Sequence, residues 1–188
     1  HSFQRAMAGL AERRGPDGND SFWTWRELMY RFLDKLTPNQ IEAIAAFVQM
    51  EMLEAGYANV TEFHYLHHQP NGEPYDRVAE MAERIVAGAQ QTGIGLTLLP
   101  VFYQYAGCDR RPLGAGQIRF GNDLGQFSQL YEQSKQALHA LSQDSKVGLA
   151  MHSLRAIDPQ SIDPLVAMAD GAPIHMHVAE QTGAEEEV

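Results

Sequence analysis

Apolar residues recur every three to four positions through residues 38–55, where Ile41, Ile44, Ala45, Val48 and Met52 fall on one face of a helix. Thr37-Pro38-Asn39-Gln40 supplies its start, with Thr37 as N-cap, Pro38 at the first helical position and Gln40 three residues after the cap. Gly56 supplies its stop. The same period predicts helices over 22–36, over 76–91 (Val78, Met81, Ala82, Ile85, Val86) and over 124–141, and Asp158-Pro159 opens a further one. Between these stretches the pattern changes to short apolar runs at 57–65, 94–103, 147–151 and 173–178, which predict strands. The run 94–103 is nearly continuous, as suits a strand covered on both faces. Residues 1–21, with Gly9, Gly15, Pro16 and Gly18, and residues 107–116 read as loops.

Alternating strands and helices make βαβ units on a parallel sheet. Polar side chains gather at one place in that scheme: His64 and Tyr65, Tyr103, His152 and His177 each stand at the C-terminal end of a strand. That is where a (β/α)8 barrel or an open parallel sheet carries its chemistry. A complete barrel takes about 250 residues. The 188 residues here, with four strands after His1, predict an α/β chain forming about the first half of such a barrel, strands 1 to 5, with His1 at the end of strand one. Residues 1–188 are thus expected to be one domain, incomplete at both ends. A first residue of His where a start would give Met points the same way.

Composition narrows the partners. A content of 44% apolar and 20% charged residues is ordinary for a folded domain. The formal net charge of -10 argues against a nucleic-acid surface and against an anionic membrane, and an anionic substrate would need local arginines. No run of about 20 apolar residues offers a membrane span. A single cysteine, Cys108, excludes a disulfide framework and fits a reducing, cytoplasmic setting.

The densest chemistry lies in His175-Met176-His177-Val178-Ala179-Glu180. Strand alternation puts His175 and His177 on one side, with Glu180 just past the tip. An imidazole at a strand end and a carboxylate three residues on can hold a metal and move a proton beside it. Taken alone, His-x-x-Glu fits equally a histidine satisfied within a core and a glutamate that caps the next helix.

Several segments together carry a resemblance: His1-Ser2-Phe3-Gln4-Arg5-Ala6-Met7-Ala8-Gly9-Leu10, Ser21-Phe22-Trp23-Thr24-Trp25-Arg26-Glu27, Glu62-Phe63-His64-Tyr65, His152-Ser153-Leu154-Arg155 and the stretch from His175 to Glu180. They resemble the formimidoylglutamate deiminases, members of the amidohydrolase superfamily of metal-dependent (β/α)8-barrel hydrolases. The resemblance implies that His1 and His177 hold zinc, although imidazole ligands also accept iron or nickel. It implies Glu180 as the acid/base group, and it favours His177 over His175 because the glutamate follows His177 by three residues. His175 is then an inner barrel residue. The implied substrate, N-formimidoyl-L-glutamate, carries two carboxylates, for which Arg155 and Arg26 are the matching guanidinium groups. Gln4, Tyr65 and His152 complete the implied substrate contacts. For Arg26 a surface ion pair with Glu27 is the competing role.

The implied reaction is hydrolytic deimination to N-formyl-L-glutamate and ammonia, in histidine degradation, by a cytoplasmic homodimer. Trp23 and Trp25 are expected to shape a loop, His67 and His68 to be solvated before Pro70-Asn71-Gly72, and His139 to have no role. The superfamily pattern also uses an earlier strand-one histidine, a strand-six histidine and a strand-eight aspartate, and none of these is found in the sequence. The 188 residues alone are therefore expected to be inactive. Two alternatives stay open: another deaminase of the superfamily, of the aminopurine or S-adenosylhomocysteine type, and a metal-free barrel used for binding.

Overall fold

A computed structural model describes residues 1–10, 18 and 21–179, apart from the side chain of Trp23. Glu180 lies outside the described residues. Helix α1 (Phe22–Leu33) starts at Ser21, whose hydroxyl accepts the Thr24 N–H while the Thr24 hydroxyl accepts the Ser21 N–H. Helix α2 (Pro38–Glu54) opens with the same reciprocal pair made by Thr37 and Gln40, and the chain leaves it through Gly56 at φ +91°. Then follow β1 (Asn59–His64), α3 (Glu80–Thr92), β2 (Gly95–Phe102) and α4 (Leu124–Leu138), and after them β3 (Lys146–Val147), β4 (Leu149–Ser153), α5 (Ile162–Ala169) and β5 (Ile174–His177).

Three local differences from the pattern have identifiable causes. Residues 2–7, read as loop, form a 3-10 turn whose first backbone N–H, that of Ser2, is taken by the buried Glu62 carboxylate at 2.8 and 3.0 Å. Helix α3 begins at Glu80 and not near residue 76, because the Ala79 N–H donates across to the Gln133 side chain of α4. The run 147–151 is split at Gly148, which donates to Leu98 O at 2.9 Å while Leu149 donates to Pro173 O at 3.0 Å. A Cβ on Gly148 would lie 2.3 Å from Pro173 O and 2.7 Å from the Leu99 side chain. Gly148→Ala is expected to destabilise the intact protein by about 2–3 kcal/mol through overpacking, read as a lower denaturant midpoint. An unchanged midpoint would show that this crossing point relaxes freely.

All strand pairings are parallel, in the order β1-β2-β4-β5, with β3 also on β2. In a flat sheet β1 and β5 would stand about 14 Å apart. Instead the rings of Phe63 on β1 and His177 on β5 are 4.7 Å apart between centroids. The sheet is therefore strongly curled, and the side chains of its concave face converge. The other face of β2 is sealed by helices, where Leu96, Leu98 and Phe102 join Met81, Ile85, Phe127 and Leu130 in one buried cluster.

The loops at the C-terminal ends of the strands are tied into a layer. Arg119, only 3% exposed, donates to His68 O at 2.8 Å, to Leu36 O at 3.0 Å and to Leu33 O, joining the end of α1 to the loop after β1. The N–H groups of His67 and His68 both donate back to Arg119 O at 3.0 Å. His67 and His68 are thus buried, at 0% and 2% exposure, and not solvated as the sequence suggested. Gln104 and Tyr105 extend the layer by donating to Ala156 O at 2.8 and 3.0 Å. A ring of non-local hydrogen bonds holds the rim on which the polar residues sit.

Candidate active site

At the C-terminal end of the curled sheet lies a cavity of about 200 Å³. Its walls include His1, Gln4, Arg26, Tyr65, His152, Arg155 and His177, so seven of the eight residues singled out by sequence line one space. The eighth, Glu180, lies outside the described residues. A larger groove of about 520 Å³ on the far side of α1, between Glu27, Arg31 and Arg119, includes none of them.

Each residue is positioned by an element. His1 is held by β1: its Nδ1–H donates to Phe63 O at 2.5 Å, and its ring stacks on Phe3 and meets Tyr65 edge-on at 4.5 Å. A carbonyl can only accept, so Nδ1 carries the proton and the lone pair sits on Nε2. Glu62, next to Phe63 on β1, grips the Ser2 N–H and hydroxyl and anchors the same loop. His177 ends β5, with its ring 5.2 Å from that of His152. His175 shares the strand, pairs with Ala150 and is exposed.

His152 owes its place to a bulge. Between Met151 and Ser153 the register slips, so that Ser153 pairs with His177 and His152 is the extra residue. Its Nδ1 and the Ser153 hydroxyl are 3.0 Å apart. Burial holds its pKa well below the usual imidazole range, and its neighbours Arg155, His177 and Arg26 push it further down. His152 is therefore neutral near pH 7, while the guanidinium groups of Arg155 and Arg26 line the cavity as cations. The Arg155 Nη1 donates to Tyr103 Oη at 3.4 Å and to Ala106 O at 3.5 Å. The Arg26 guanidinium lies 5.6 Å from the centre of the Tyr30 ring. Tyr65 donates to Met29 Sδ at 3.5 Å, and burial raises its pKa well above the usual phenol value, so it stays protonated.

The donors suit a metal in kind. A histidine whose second ring nitrogen is fixed by a backbone carbonyl, as His1 is, is the usual form of a metal-ligating imidazole. His177 faces the same cavity. Among the described residues, however, no group of three or more His, Cys, Asp or Glu side chains is arranged to hold a metal ion.

No protein-family model matches the chain. A curated relative does: the chain is 50% identical over 182 residues to a protein of Pseudomonas aeruginosa named formimidoylglutamate deiminase, covering 96% of this chain and 40% of that protein. The crystal structure of an amidohydrolase from Brucella melitensis superposes on all of it with a TM-score of 0.93 and 49% identity, covering 41% of that longer chain. The curled parallel sheet matches the N-terminal part of an amidohydrolase barrel, as the order of elements predicted. The chain spans about two fifths of the length of either protein.

Other walls of the cavity were not among the sequence-derived site residues: Phe22, Trp25, Met29 and Tyr30 from α1, Tyr103 from the end of β2, and Phe120 from the following loop. Trp25, expected to shape a loop, is a helical residue facing the cavity. Tyr103 had a visible signal, since it ends a strand as Tyr65 and His152 do. Phe120 had none, because only the fold of the 103–123 loop brings it against Tyr65 and Tyr103. No helix among the described residues is long and apolar enough to cross a membrane.

Proposed function

We propose that the protein carrying this chain hydrolyses N-formimidoyl-L-glutamate to N-formyl-L-glutamate and ammonia, as a metal-dependent step in histidine degradation. One observation carries the proposal: a neutral histidine and two arginines share a single cavity with two further imidazoles, at the strand ends of a chain half identical to a named formimidoylglutamate deiminase. Residues 1–188 are then part of a larger barrel domain. A cytoplasmic homodimer is the form we expect.

In this mechanism His1 and His177 would hold zinc, or iron or nickel in its place, together with ligands from the rest of the barrel. Bound metal supplies Lewis acidity, bringing the pKa of a water molecule toward neutral. Glu180 accepts one water proton and delivers it to the departing nitrogen, and the proton left on the attacking oxygen passes to the same nitrogen as the new carbonyl forms. A C–O bond forms at the formimidoyl carbon, the C–N bond to the terminal nitrogen breaks, and that nitrogen leaves as ammonia. Arg155 and Arg26 neutralise the two substrate carboxylates. Neutral His152, Gln4 and Tyr65 supply directional hydrogen bonds without adding charge.

Ammonia release from formimidoylglutamate by the intact protein tests the proposal, with an aminopurine as the parallel substrate and metal content measured on the same sample. Turnover of formimidoylglutamate with about one metal ion per chain is expected. Turnover of the aminopurine alone would overturn the substrate, and a metal-free protein that no added metal activates would overturn the reaction.

A further inference from the structure

Tyr103 follows the last residue of β2, is 3% exposed and lines the cavity. Its ring packs edge-on against His152, 4.6 Å between centroids. The hydroxyl oxygen receives two hydrogen bonds, from Gln117 Nε2 at 3.0 Å and from Arg155 Nη1 at 3.4 Å. Neither donor is able to reverse. A guanidinium has no acceptor, and the Gln117 amide is oriented by its own Oε1, which accepts the Gly114 N–H at 3.3 Å. A phenol oxygen offers two acceptor sites and one proton. Both acceptor sites are used here, and among the described residues the proton has no acceptor.

We propose that Tyr103 is a further substrate-binding residue, whose proton is delivered to an oxygen of the carboxylate held by Arg155. The proposal rests on the dicarboxylate reading given above. The phenol oxygen and Nη1 stand 3.4 Å apart, so one carboxylate can take one oxygen to each donor. Gln117 is the positioning residue behind it: by donating to the phenol it forces the phenol to donate onward. The direction of the whole chain of hydrogen bonds, from Gly114 through Gln117 to Tyr103, selects an acceptor as ligand and rejects a donor.

Tyr103→Phe removes the donor and keeps the ring, and a lost hydrogen bond to a charged group corresponds to a rise in KM of about 10- to 100-fold, with kcat nearly unchanged. Gln117→Glu is close in shape but reverses one bond: the carboxylate accepts the phenol proton and turns it away from the substrate. It is expected to raise KM about as far as Tyr103→Phe, and the double variant is expected to be no worse than Tyr103→Phe alone. A wild-type KM in Tyr103→Phe, or losses that multiply in the double variant, would overturn the proposal. Calorimetric binding of L-glutamate to the intact protein separates this from the deiminase reading. If wild type releases no ammonia yet binds glutamate more tightly than Tyr103→Phe does, the deiminase reading fails and the donor stands. Equal binding by both, or no binding by wild type, removes the donor whether or not formimidoylglutamate is turned over.

Discussion

Arg155→Met is expected to lower kcat/KM for formimidoylglutamate by about a thousandfold, because an uncompensated carboxylate in a closed site costs about 3–5 kcal/mol. The geometry concentrates that cost on one residue. Arg155 stands just past the end of β4, half-buried, with its guanidinium spread between the Tyr103 hydroxyl and Ala106 O. His152, which lines the same cavity, is held neutral by burial and is no substitute for the missing charge. The chain as a whole, at -10, repels a dianion. Arg155→Lys restores charge without the planar fork and is expected to recover only part of the loss. Steady-state ammonia release decides the matter, with an unchanged unfolding midpoint showing that the variant is folded. Wild-type kinetics in Arg155→Met would remove the dicarboxylate assignment.

Legibility in the sequence followed the range of the interactions. Helix α2 could be read to its ends, because Thr37, Gln40 and Gly56 act within one turn of their own backbone. Strand β2 could be read because burial on both faces leaves a continuous apolar run. The cavity-lining residues Tyr65, Tyr103, His152 and His177 were legible as strand ends, and curling of the sheet does the rest: it carries His177 to within ring contact of Phe63, three strands away. What local pattern could not supply was contact across the rim. His67 and His68 look like loop histidines beside Pro70-Asn71-Gly72, and Arg119, fifty residues on, is what folds them in. The bulge that turns His152 inward depends on pairing with β5, and nothing in His152-Ser153-Leu154-Arg155 announces it. The donor role of Tyr103 depends on the orientation of the Gln117 side chain, which no spacing rule encodes.

Acidification from pH 7 to about pH 4.5 is expected to destabilise the intact protein strongly, and the buried histidines set the sign. Burial lowers the pKa of His67 well below 6.5 and that of His64 to about 3. The ring of His67 donates through Nε2 to Val101 O at 3.0 Å, while its Nδ1 and the Nε2 of His64 are buried without a partner. Both imidazoles are therefore neutral in the folded state and accept a proton readily only when unfolded. A folded pKa below the unfolded one gives stability that is complete above pH 6.5 and lost as pH falls toward the folded value. Each such histidine contributes a slope of about 1.4 kcal/mol per pH unit below 6.5, and the two together about 3. His68, lowered by burial as well, adds in the same direction. From pH 6.5 to 4.5 that amounts to about 5–6 kcal/mol, comparable to the lower end of a total stability of about 5–15 kcal/mol. Glu51, held down by its hydrogen bond to Arg5, adds nothing in this window, since a lowered carboxylate loses its stabilisation only below pH 4.5. Denaturant midpoints at half-unit steps from pH 7.5 to 4.5 measure the slope. His67→Gln, which keeps a donor for Val101 O and cannot be charged, is expected to flatten it by about 1.4 kcal/mol per pH unit. A slope that is absent, or one that this substitution leaves intact, would place the acid sensitivity elsewhere than in these rings.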